Sequence, residues 1–144
     1  MDENKALWKK CVEFHGHECG GLTIGYKASL FIYGMQQMGH SLEKLGGGGN
    51  AGCLSADEEV VCISENDACG VDAIQVILGC SIGKGNLLFH MRGKQAFTFF
   101  DRKSGKSLRL VLKPKPEGMT RQESFAYYQS CAPKDMFQVT EAKI

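Results

Sequence analysis

Gly21, Gly25 and Ser29 fall four residues apart inside the apolar stretch GGLTIGYKASLFIY. On a helix that spacing makes one smooth stripe, along which another backbone can come very close. The pattern predicts a helix from Gly20 to about Met38, with Leu22, Tyr26, Leu30 and Tyr33 supplying bulk on the neighbouring face. Each interior glycine costs a helix about 1 kcal/mol against alanine, so tight packing along the stripe has to compensate. The partner in that packing is either another element of the same chain or a second copy of it.

The remaining elements follow from periodicity and turn chemistry. Asn4–Phe14 carries Leu7, Cys11 and Phe14 at helical spacing and is predicted as a first amphipathic helix, broken by Gly16. The segment from Leu45 to Cys53, LGGGGNAGC, is loop material. Glu58–Ser64 alternates and is β-branched, hence a strand. Asp67 then suits an N-cap, Val71–Leu78 has helical spacing, and Gly79 suits the position just past a helix end. Three further strands are predicted over Asn86–Met91, Gln95–Phe100 and Ser107–Leu112. The turns between them, Arg92-Gly93-Lys94 and Arg102-Lys103-Ser104-Gly105, have hairpin chemistry and imply an antiparallel meander. Thr120 with Glu123 forms a capping box that opens a helix through about Ser130, and Pro133 starts a last helical turn. The expected fold class is α+β: N-terminal helices on a mainly antiparallel sheet, made of a strand-helix unit and then a β-meander, with a C-terminal helix. One domain over residues 1–144 is expected.

Charge and cysteine content narrow the function classes. The formal net charge is +1, and no basic stripe advertises nucleic acid or anionic lipid as a partner. No segment approaches the roughly 18–20 apolar residues of a membrane span. The opening MDENKALWKKC lacks the apolar core of a secretory signal. A cytoplasmic location is expected, and there the seven cysteines are thiols first. Their odd number also rules out a fully paired framework within one chain.

His15, His17 and Cys19 crowd into five residues at the predicted start of the second helix. Unpaired backbone N–H groups and the helix dipole there favour a thiolate, the form that binds metal or attacks an electrophile. The competing reading is a capped helix start with incidental histidines, since metal motifs normally draw ligands from a second segment. Cys69 is the chosen second segment: it lies in the first turn of the next helix and is expected to have a lowered pKa. Cys80, eleven residues on, is roughly 16 Å away along an unbroken helix, so the two cannot share an ion. Cys80 is expected beneath the turn containing Lys84 and Asn86, either as a buried small hydrophobe or beside an anionic substrate met by Lys84. That turn lacks the G-x-x-x-x-G-K-[ST] spacing and runs from helix to strand, so a Walker-type nucleotide site is rejected. Glu65, Asp67 and Asp72 gather around Cys69, where Asp72 either orients a ligating histidine or caps the helix. Cys11 and Cys62 are assigned to the core and Cys53 to the exposed loop; Cys131 has no partner in sequence, and no C-x-x-C occurs.

Read together, FHGH-x-C with G-x-x-x-G-Y, END-x-C-x-V-D-A-I-Q-V-x-x-G-C, GKGNL and GK-x-A-F-T-F-F resemble the E-subunit family of formylmethanofuran dehydrogenase over roughly residues 8–137. The resemblance implies an α+β core, a homodimer and a histidine- and cysteine-lined cleft that holds a metal. By position it singles out His15, His17, Cys19, Cys69, Asp72 and Cys80. Gly20 stands where the family commonly has proline, which loosens the helix start but removes no ligand. Many relatives also carry a C-terminal cysteine-rich zinc module, whereas Cys131 is the sole cysteine of this tail.

The combined expectation is a metal site of His17, Cys19 and Cys69, with His15 as a fourth ligand or proton carrier. Asp72, Cys80, Lys84 and Asn86 are expected around it or along a substrate cleft. Nitrogen and sulfur donors favour zinc, with nickel or iron as alternatives. Such a protein is an enzyme or accessory component of one-carbon and formyl metabolism, within a larger oxidoreductase complex in one version of that role. The rival readings are metal storage, delivery or sensing, and thiol redox chemistry between Cys19 and Cys69.

Overall fold

The computed structural model describes residues 2–37, 60–102 and 105–142. Helices α1 (Asp2–His15) and α2 (Gly20–Gln37) come first, then strand β1 (Val60–Ser64), helix α3 (Gly70–Leu78) and strand β2 (Leu87–Phe89). Strands β3 (Ala96–Asp101) and β4 (Ser107–Leu112) follow, then helices α4 (Arg121–Ser130) and α5 (Pro133–Met136), and finally strand β5 (Phe137–Glu141). The glycine-rich segment 45–53, with Cys53, lies outside the described residues, as do residues 58–59 of the first predicted strand.

The small-residue stripe of α2 is used inside the chain. A Cβ built on Gly25 would stand 1.9 Å from the carbonyl oxygen of Gly70, and one on Gly70 would stand 3.0 Å from Gly25 N. The backbones of α2 and α3 therefore touch, with no side chain between them. Around that contact Leu7, Leu22, Ile32, Ile74 and Ile77 are fully buried and join the core face of the sheet through Cys62, Phe97 and Leu110.

The five strands form one mixed sheet in the order β2-β1-β3-β4-β5, which confirms the α+β class. The predicted three-strand meander is corrected. β2 pairs in parallel with β1, reached through α3 as a crossover, and β3 pairs antiparallel on the other side of β1. The turn Arg92-Gly93-Lys94 is therefore no hairpin. It passes across the end of β1, where the Arg92 and Lys94 N–H groups both donate to the Glu65 carbonyl, at 3.0 and 3.3 Å. The antiparallel meander consists instead of β3, β4 and β5. β5 was not anticipated from sequence. Its residues Gln138, Thr140 and Glu141 are exposed at a sheet edge, and only Phe137 is buried.

Caps hold as expected at two sites and not at a third. Thr120 and Glu123 form the reciprocal capping box on α4, and Gly79 ends α3 at φ 72°. Asp67 is exposed and does not cap α3: Cys69 occupies that position with no side-chain cap. Asn66 sets the entry instead, its Oδ1 accepting from Ala68 N at 2.9 Å and its Nδ2 donating to Lys94 O at 2.8 Å. Glu65, read from sequence as part of an acidic cluster, faces Arg109 on β4 and accepts from its Nε and Nη2 at 2.8 and 2.9 Å. The hydrogen bonds from Arg109 hold the Glu65 carboxyl below its ordinary range, against the opposing effect of burial.

Gly25→Ala is expected to destabilise the protein by about 3 kcal/mol, since a Cβ there meets rigid backbone. Thermal unfolding followed by circular dichroism should show Tm falling by roughly 10 °C; an unchanged Tm would refute the close crossing. The depressed Glu65 carboxyl contributes stability that is present above the ordinary glutamate range and is lost as pH falls through the lower folded value. Acid unfolding of Glu65→Gln should lack that part of the wild-type pH slope.

Candidate metal centre

At the end of α1 Gly16 adopts φ 101°, and its N–H still bonds Val12 O at 2.7 Å. Residues with a Cβ resist that conformation. The chain turns sharply here and lays His17 against His15, with ring centroids 4.5 Å apart. Trp8 Nε1 donates to Glu18 Oε2 at 2.9 Å and fastens the turn to the flank of α1. Cys19 then caps α2. Its carbonyl accepts from Thr23 N and Thr23 Oγ1 at 3.2 and 3.0 Å, and its Sγ accepts from Leu22 N–H at 3.3 Å. The sulfur thus sits where the unpaired N–H groups and positive dipole end of a helix converge.

The donor atoms of His15, His17 and Cys19 all lie within 4.8 Å of one another. Two donors sharing a zinc ion sit about 2.0–2.3 Å from it, hence roughly 3.5 Å apart. A contraction of about 1 Å would gather the three. His15 is aimed by Asp72 in the first turn of α3: its Nδ1 donates to Asp72 Oδ2 at 2.7 Å. A carboxylate oxygen only accepts, so a proton resides on Nδ1, and in the neutral ring Nε2 then offers its lone pair. Nε2 faces Cys19 Sγ at 3.9 Å. Asp72 is itself steadied by Gln75, whose Nε2 donates to Oδ1 at 3.2 Å. Histidines that ligate metals are commonly oriented by a carboxylate in this manner. His17 is exposed while His15 and Cys19 are partly buried, so the group opens to solvent on the His17 side.

Cys69 approaches from the start of α3 but lies outside the group of three whose donors fall within 4.8 Å of one another. Gly21 leaves room for it, since a Cβ there would stand 3.2 Å from Cys69 Cβ and 3.7 Å from its Sγ. Cys69 and Cys19 are electrostatic neighbours across the two helix starts. The expected lowering of the Cys69 pKa is corrected: burial pushes the thiol up, aided by the neighbouring Cys19 and, more weakly, by the charge of Asp72, against an opposing effect of its own backbone N–H. Two sulfurs and a carboxylate brought together repel one another when ionised, and a cation among them reverses that repulsion. The donor set therefore fits a divalent transition metal.

Cys80, Lys84 and Asn86 do not line this cluster; they sit beyond the far end of α3. Cys80 is fully buried and its Sγ bonds Val60 O at 3.5 Å. Asn86 ties the turn together, accepting from Ser81 N at 2.8 Å and donating to Val60 O at 3.1 Å, and Lys84 Nζ donates to Gly79 O at 3.0 Å. Burial holds the thiols of Cys11 and Cys80 up at about 12, and Cys62 well above its ordinary value, consistent with packing roles. Sequence reasoning missed the supports Gln75 and the Trp8–Glu18 tie. The three-residue spacing of Asp72 and Gln75 on α3 was the available signal.

A family profile described as FmdE, Molybdenum formylmethanofuran dehydrogenase operon, matches residues 14–141. A protein of Archaeoglobus fulgidus named "Probable S-adenosyl-L-methionine-binding protein" is 34% identical over 106 residues, or 74% of this chain. The aligned part is 26% of that protein, so the chain spans about a quarter of its length. The crystal structure of a tungsten formylmethanofuran dehydrogenase FmdE-like protein from Syntrophus aciditrophicus shares the fold, with a TM-score of 0.67 at 20% identity over 98% of this chain and 72% of that one. The family match runs from the histidine turn to the last strand and takes in His15, His17, Cys19, Cys69 and Asp72; the chain belongs to the FmdE family, named for formylmethanofuran dehydrogenase.

Proposed function

We propose that this protein binds one divalent transition metal through His15, His17, Cys19 and Cys69, and that it serves formylmethanofuran dehydrogenase-related one-carbon chemistry as an enzyme or accessory component. The observation that carries the metal reading is the oriented His15 ring: its Nδ1 donates to Asp72 at 2.7 Å, its Nε2 faces Cys19 Sγ at 3.9 Å, and His15, His17 and Cys19 each bring a donor within 4.8 Å of the others. Imidazole and thiolate together favour zinc over harder cations. Bound ions of this class supply Lewis acidity to a substrate oxygen. The chain's own contributions are to hold the His15 imidazole in one tautomer, to keep two sulfurs adjacent, and to leave a solvent-facing approach beside exposed His17. Family membership supports the one-carbon role, and the wealth of thiols supports a reducing, cytoplasmic setting.

Metal content by mass spectrometry of protein purified without an affinity tag tests the centre. Wild type should carry stoichiometric metal and Cys19→Ser should lose it; metal retained in full by that variant would overturn the assignment. Asp72→Asn should keep its fold by circular dichroism yet bind metal about 10–100-fold more weakly, the usual cost of losing a carboxylate behind a ligating histidine.

One observation favours a second reading, thiol redox chemistry. Cys19 and Cys69 are neighbours at two helix starts, and both are free thiols. Peroxide would take two electrons from the pair, forming one S–S bond and releasing two waters. Peptide mapping after mild peroxide treatment should then find Cys19 joined to Cys69; pairing scattered over other cysteines counts against it.

A further inference from the structure

The sheet face turned away from the core carries a second concave site. Cys62, Phe99 and Leu110 point into the core, so the alternating residues between them point the other way. Ile63, Thr98 and Arg109 are cross-strand partners and lie side by side over β1, β3 and β4 on that outer face. His90 and Arg92 arrive from the segment after β2, and Glu65 closes the end of β1. These residues line an open groove of about 370 Å³, within the range of small-molecule sites.

Its charge and its unpaired polar groups both call for an anion. Glu65 is the acidic residue among those lining the groove, and Arg109 takes it up with Nε and Nη2. A guanidinium has five N–H donors, so three remain on Arg109 in a fork fixed by Glu65. Arg92 adds a second positive charge to the lining. Among the described residues its guanidinium bonds no carboxylate, and its neighbour is His90 Nε2 at 3.5 Å. Thr98 is only 8% exposed, and its hydroxyl has no hydrogen-bond partner among the described residues. A buried hydroxyl left unpaired costs about 1–3 kcal/mol, so its placement in a cationic groove points to a missing acceptor.

We propose that this groove binds a small oxyanion, with a carboxylate or phosphate group held by Arg92 and Arg109 and hydrogen-bonded by the Thr98 hydroxyl. The site stands apart from the histidine–cysteine cluster in its residues and its chemistry. Arginine forks and a hydroxyl recognise oxyanions, whereas imidazole and sulfur recognise soft cations.

The test is an NMR titration of the full chain, stripped of metal and desalted, with pyrophosphate and separately with citrate at constant ionic strength. One or both should give saturable shifts centred on Thr98 and Arg109; saturation by pyrophosphate assigns a phosphate ligand and saturation by citrate a carboxylate. Arg92→Glu reverses an exposed charge and should weaken binding about tenfold or more, in line with losing a charge-assisted hydrogen bond. Thr98→Val should weaken it as well, while Cys19→Ser should leave it unchanged. Absence of saturable shifts with both anions would overturn the proposal. So would binding that is indifferent to both Arg92→Glu and Thr98→Val, or shifts centred on His15 and His17.

Discussion

Where α2 crosses α3, glycine meets glycine and two peptide backbones lie in direct contact. Everything else about the candidate centre follows from that closeness. Gly21, one turn before Gly25, brings the first turn of α2 against Cys69, so two helix starts share one neighbourhood. Asp72, two residues after Gly70, then lies within reach of the imidazole at the end of α1. A larger residue at either glycine would wedge the helices apart and separate groups that lie 57 residues apart along the chain. The helix propensity given up at these glycines is thus offset by a geometry no other residue allows.

Much of this was legible because it depends on local rules. The four-residue spacing of small residues, the Thr120–Glu123 box, the glycine past α3 and the crowded histidine turn each carry their meaning within one or two turns of chain. What was not legible depends on partners far away. Nothing in residues 86–112 says that β2 should flank β1 in parallel while β3 takes the other side, because turn chemistry at Arg92–Lys94 looks the same whether it closes a hairpin or passes over a strand end. β5 escaped notice because an edge strand with one buried residue has almost no alternation to read. Glu65 looked like a neighbour of Cys69 by sequence distance, yet the pleat turned it to the opposite face, toward Arg109.

The cysteines divide according to surroundings rather than spacing. Cys11, Cys62 and Cys80 lie in apolar surroundings that resist ionisation and act as small core side chains. Cys19 and Cys69 sit at helix starts with polar neighbours and each other. Helix-start position alone suggested an acidic Cys69, but its burial and the like charges packed beside it act in the opposite direction. Loss of solvation at the buried thiol, together with the neighbouring Cys19, outweighs the backbone N–H that favours the thiolate.

The bond between His15 and Asp72 closes a loop of 57 residues before any ion arrives. The entropy of bringing those ends together has already been met by the packing of α1, α2 and α3. A cation captured there finds its donors standing ready, and by mass action it in turn favours the folded chain over the unfolded one. Occupancy and structural integrity would thereby be linked: loosening anywhere along this enclosure would weaken the grip on a cation, and a filled centre would require three separate helices to be in register.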